Sequence, residues 1–170
     1  MALFNVNEPV SAGGGPQLPL IWHLFSEDAV LPRLLLLAKM IDRVTARQLQ
    51  TEFGLSLAQW RVLAFVCLSG PATAAFIGDA AEVDQAEISR AVRALEGRGL
   101  VTRTFEPGNR KNLIITPTAD GAKAFKRIRR MRQAYFARMT RKLSREQMTQ
   151  LNRSLAAVGQ EVVVERGADD

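Results

Sequence analysis

The amino-acid sequence predicts a mainly α chain with a small β-hairpin. Two capping-box patterns, Ser56-Leu57-Ala58-Gln59 and Asp84-Gln85-Ala86-Glu87, open short apolar-periodic segments close together, the spacing of a tight helix-turn-helix. Directly behind them, two β-forming runs flank the turn cluster Glu106-Pro107-Gly108-Asn109. Longer helical patterns precede and follow this block. An isolated hairpin is marginal in water, so one that follows two short helices is expected to pack on them as a wing. The expected architecture is a winged helix-turn-helix plus dimerisation helices.

Residues 1–20, with Gly13-Gly14-Gly15-Pro16 inside them, read as a flexible arm unable to bury enough surface to order itself. Residues 21–55 hold the first helix, with apolar positions at Leu34, Leu37, Ala38, Ile41, Val44 and Leu49, Pro32 in its first turn and Gly54 as its stop. The winged unit spans residues 56–118. Its second helix runs from the Ser56 cap to Ser69-Gly70-Pro71 and is expected to bury Leu57, Trp60, Leu63, Ala64 and Cys67. A short third helix covers about 73–81, and the fourth runs from the Asp84 cap to Gly97 or Gly99. Strands follow over 100–105 and 112–116. In residues 119–166, Thr118 caps a long fifth helix, and a third capping box, Ser144-Arg145-Glu146-Gln147, opens the last one.

The 170 residues suffice for one ordinary domain, and 23 Lys and Arg against 17 Asp and Glu give a net charge of +6. Such a surplus suits a polyanion and equally a solvated basic face. Cys67 is the only cysteine and His23 the only histidine. That leaves no disulfide framework, no cluster with metal-ligand spacing and no recognisable nucleophile-base pair, so neither a cofactor nor an enzyme is expected. The N-terminal residues lack a basic region followed by an apolar run, and the leucine-rich stretch at 34–37 is too short to span a bilayer. A cytoplasmic protein without a membrane partner is expected.

The fourth helix carries the chemistry. Ile88, Ala91, Val92 and Leu95 share an inward face, while Gln85, Ala86, Ser89, Arg90 and Arg93 fall on the other. Arginine offers a planar fork to guanine N7 and O6, glutamine pairs with adenine, and serine donates to phosphate or base. Thr73, at the start of the third helix, joins these as a candidate DNA contact. At the hairpin tip, Asn109, Arg110 and Lys111 suit a minor groove and its flanking phosphates. Two plainer readings stand beside these: Arg90 and Arg93 pair with Glu87 and Glu96 on a solvated helix, and the tip is an ordinary soluble turn. Residues 121–145 hold ten Lys and Arg and no acid, spread around a helix, which predicts strongly salt-dependent DNA affinity.

Residues 88–103, ISRAVRALEGRGLVTR, together with Thr118-Ala119-Asp120-Gly121, resemble the MarR (multiple-antibiotic-resistance regulator) family of transcription factors, over about 57–121. The resemblance implies double-stranded DNA with a pseudo-palindromic operator as partner, read by a homodimer whose first, fifth and sixth helices interleave. The C-terminal stripe Leu143, Met148, Leu151, Leu155, Val158 and Val162 suits that role, the alternative being an intramolecular bundle. Recognition helices of such a dimer lie about 34 Å apart along the duplex. Relatives often have an Asp beside the wing arginine where this chain has Asn109, which cannot make the Asp–Arg ion pair. Many relatives are repressors that leave DNA when a small aromatic or phenolic acid binds near the dimer helices. Trp60 and Arg61 are the candidates to stack on and pair with such a ligand, with His23 and Trp22 closing the pocket; the plainer readings are a core Trp60, an Arg61 held by an internal carboxylate and a surface His23. Cys67, set among Phe65, Val66 and Leu68, reads as an inert core thiol. A regulator without an effector and a winged helix used only to bind protein are the alternative functions.

Overall fold

The computed structural model describes residues 17–106 and 109–168, the side chains of 106 and 109–111 excepted. Residues 1–16 of the expected arm lie outside the described residues. Next comes a five-residue helix that the sequence reading did not anticipate, α1 (Leu20–Leu24), opened by the Trp22 N–H bonding the Pro19 carbonyl at 2.8 Å. The order thereafter is α2 (Val30–Phe53), α3 (Leu57–Ser69), β1 (Ala72–Thr73), α4 (Ala74–Ala81), α5 (Gln85–Gly97), β2 (Val101–Glu106), β3 (Asn109–Pro117), α6 (Ala119–Met139) and α7 (Arg145–Ala168). The chain is mainly helical with one small antiparallel sheet. It forms two compact units, Met1–Ala122 and Lys123–Asp170.

Local backbone chemistry sets the helix ends. Pro32 sits in the first turn of α2, where its missing N–H has no helical partner to lose. Gly54 closes that helix at φ 62°, ψ 30°, its N–H bonding the Gln50 carbonyl at 3.0 Å. The capping boxes at α3 and α7 are complete: Ser56 Oγ and Ser144 Oγ accept from the amides of Gln59 and Gln147, whose side chains accept from the serine N–H groups. At α5 the box is half formed, Asp84 Oδ1 accepting from the Glu87 N–H at 3.0 Å without a returning bond.

The core of the first unit lies where α5 packs on α3 and the sheet. Ile88, Ala91, Val92 and Leu95 are buried, as the sequence predicts. α3 differs from expectation: it buries Ala58, Trp60, Val62, Leu63 and Val66, while Leu57, Ala64 and Cys67 stay half-buried. This helix is apolar on nearly every side, so its period selects no face, and contacts with α2, α4, α5 and β3 decide instead. Of the stripe expected on α2, Leu49 alone is buried, and Leu37 and Val44 are exposed.

The sheet has three strands in the order β1-β3-β2, not the expected two. Ala72 and Thr73 pair with Ile115 and Ile114, and on the other side Val101 pairs with Pro117 through Phe105 with Leu113. In the second unit, α7 buries none of its residues. Among the described residues no helix is long and apolar enough to cross a membrane.

Candidate nucleic-acid interface

α5 divides cleanly by its 3.6-residue period. With Ile88, Ala91, Val92 and Leu95 turned into the core, Arg90 and Arg93 are exposed and Ser89 is half-buried. Arg93 Nε donates to the carbonyl of Ser89, one turn back on the same helix, at 3.3 Å. Neither Arg90 nor Arg93 forms an ion pair among the described residues, so the plainer reading that matched them with Glu87 and Glu96 is set aside.

Glu96 has a different partner. Arg103 on β2 donates Nε to Glu96 Oε2 at 2.8 Å and Nη2 to the same oxygen, strapping the wing to the end of α5. The bond from Arg103 holds the Glu96 carboxyl below its ordinary value and raises the guanidinium in return. Sequence reasoning missed this pair because its members lie across a helix-strand joint, beyond the reach of helical spacing rules.

Gln85 lies on the exposed face, but Nε2 donates to the carbonyls of Ala74 (3.2 Å) and Ala75 (3.0 Å) in the first turn of α4. The donor half of its amide, expected to meet adenine, is therefore committed to backbone in this conformation. The amide lies against Gly78, where a Cβ would stand 2.5 Å from Nε2. Thr73 caps α4, its Oγ1 accepting from the Phe76 N–H at 3.2 Å, which leaves the hydroxyl proton to donate. The side chains of Asn109, Arg110 and Lys111 lie outside the described residues, and the backbone places them at the start of β3, beside an irregularity between Phe105 and Glu106.

Two hollows flank α5. One, of about 400 Å³, is bordered by Ser56, Gln59, Glu87, Arg90 and Ala94. The other, of about 240 Å³, is bordered by Ala74, Ser89, Arg93, Arg103 and Leu113. Neither is lined by His23, Trp60 or Arg61. Trp60 is buried in α3, and His23 is exposed on α1. Arg61, expected to receive a ligand carboxylate, already holds one: Nη2 lies 3.3 Å from Asp42 Oδ2 of α2. Cys67 is half-buried, and burial pushes its thiol up, which lowers the thiolate fraction as expected of an inert thiol.

Beyond α5 the chain is gripped from two sides. Arg98 donates Nη1 to the Gly54 carbonyl at 2.7 Å and Nη2 to the Phe53 carbonyl at 2.8 Å. Thr118 Oγ1 donates to the Gly99 carbonyl at 2.7 Å and accepts from the Gly121 N–H at 3.0 Å. Gly121 is required by close approach, since a Cβ there would stand 1.9 Å from the Leu100 carbonyl oxygen.

Comparison with known proteins matches this part of the molecule. Residues 53–111 match the MarR family model. No curated protein matches the chain. Among solved structures, a MarR family transcriptional regulator from Listeria monocytogenes, complexed with a 26mer DNA, is 21% identical with a TM-score of 0.72, over 80% of this chain and 90% of that one. The transcriptional regulator BldR from Sulfolobus solfataricus is 19% identical with a TM-score of 0.67, over 75% and 93%. A MarR family regulator from Neisseria meningitidis is 17% identical with a TM-score of 0.65, over 84% and 97%. At these identities the structures speak for the fold, a winged helix-turn-helix, and the MarR family model speaks for the segment it covers, residues 53–111.

Proposed function

We propose that the chain is a sequence-specific DNA-binding transcription regulator of the cytoplasm, a homodimer that represses from a pseudo-palindromic operator. The observation that carries this reading is α5 itself, which buries its apolar face and turns out Arg90 and Arg93 without acidic partners among the described residues. Two such guanidiniums on one helix suit guanine edges and phosphates in a major groove. Ser89 and Thr73 add donors, and the tip residues Asn109, Arg110 and Lys111 are assigned to the minor groove beside it. The Listeria relative's 26mer DNA supports the choice of partner. Dimerisation is supported by α7, where Leu151, Leu155 and Val162 are 44%, 40% and 60% exposed. The 21–55 and 119–166 segments are the proposed assembly regions, and 56–118 the reading region.

Selection of bound duplexes from a random pool tests the reading. The winning duplex should be an inverted repeat, and Arg90→Ala and Arg93→Ala should each weaken its binding about tenfold or more with the dimer intact. Undiminished binding by both variants removes α5 as the reading helix.

The same proposal gives the operator complex a releasing ligand, a small aromatic acid, with His23, Trp60 and Arg61 as receiving side chains. Such a ligand has to displace Asp42 from Arg61. Asp42→Asn should therefore tighten benzoate binding, measured by calorimetry, whereas unchanged affinity clears Arg61 of this role.

A further inference from the structure

The carbonyls in the last turn of a helix have no partners within it and carry the negative end of its dipole. At the end of α2 they are met from across the fold by Arg98, whose planar fork spans the consecutive Phe53 and Gly54 carbonyls at 2.8 and 2.7 Å. Arg98 directly follows the last residue of α5, its own N–H bonding the Leu95 carbonyl at 3.2 Å. One charged group thus ties the C-terminus of the helix proposed to read DNA to the C-terminus of the long helix proposed to assemble the dimer. The tie is short and two-pronged, so it fixes direction as well as distance.

The lever arm makes this matter. α5 has 13 residues and is about 20 Å long. A tilt of about 10° about its anchored end moves the other end by about 3 Å, roughly one base-pair rise. We propose that Arg98 is a positioning residue: its fork on the Phe53 and Gly54 carbonyls fixes the tilt of α5 on α2 and so sets the half-site spacing that the dimer accepts. The spacing part rests on the regulator reading above, while the tilt itself does not.

Two measurements on the full-length chain separate positioning from simple stabilisation. Spin labels at Arg43→Cys on α2 and Ala86→Cys on α5, in a Cys67→Ser background diluted with unlabelled chain, report the α2–α5 distance. Operator duplexes whose spacer is lengthened or shortened by single base pairs report spacing preference. Arg98→Gln is expected to keep its helix content and dimer, broaden the distance distribution, weaken the best duplex about tenfold and flatten the spacing preference. Arg98→Lys, whose ammonium reaches one carbonyl at a time, should fall between wild type and Arg98→Gln, and it carries the comparison if Arg98→Gln does not fold. A lowered melting temperature with unchanged distance width and spacing preference overturns the proposal. If the distance broadens but neither wild type nor variant binds any duplex, the tilt role of Arg98 holds and the regulator reading fails.

Discussion

Glu96 and Arg103 show how a single contact ties the wing to the helix and makes the tie depend on pH. Arg103 holds the Glu96 carboxyl below its ordinary value, so the pair stabilises the fold above the ordinary carboxylate range and loses that contribution as pH falls through the lowered value. Glu96→Gln should melt below wild type at pH 7, and the gap should close in strong acid and narrow in high salt. Equal gaps at both pH values would mean that the bond does not depend on charge. This pair was invisible in the sequence, as was Arg98 on the α2 carbonyls, because each joins residues with no local periodic relation; an internal carboxylate on Arg61 was readable as the plainer alternative, and the fold supplies Asp42 as that partner. What could be read residue by residue were the caps at Ser56, Thr118 and Ser144, whose partners lie three positions on.

At the scale of elements, legibility followed contrast between faces. α5 alternates sharply between apolar and polar sides, so its buried residues and its outward arginines were both readable. α3 lacks such contrast, and β1 is two residues long, too short for any pattern, so its pairing with β3 emerges from the fold alone. Gln85 was placed on the correct face, yet its task includes joining α4 to α5 through the Ala74 and Ala75 carbonyls over Gly78. Gly78→Ala must push that amide aside, since the new Cβ would meet it at 2.5 Å. Gly78→Ala and Gln85→Ala should each cost about 1 kcal/mol in urea unfolding, and the double variant little more than either alone. Additive losses would show that the two residues act separately.

For the whole molecule, the basic surplus suits the proposed DNA partner and the exposed apolar residues suit the proposed second copy. On α6, Arg132 and Arg138 lie over the rings of Phe136 and Tyr135 at 4.8 and 5.8 Å, which lets cations and aromatics share a helix that has no acid after Asp120. Leu155→Glu on α7 should yield a monomer by sedimentation while the winged unit keeps its helix content, and operator affinity should fall by about a hundredfold or more as one half-site is lost. A dimer that survives this change would move the assembly surface elsewhere. The pairing of Ala72 and Thr73 with Ile115 and Ile114 has a consequence of another kind. It closes the base of a loop of chain that contains α4, α5 and β2, using backbone bonds that are largely indifferent to side-chain identity. Genetic recombination with crossovers in β1 and β3 would therefore pass α4, α5 and β2 between relatives as one cassette, together with the reading role proposed for α5. The helices proposed for assembly would keep their own history, and the incoming cassette would need apolar residues that fit α3 and a guanidinium at the place of Arg98 to seat itself.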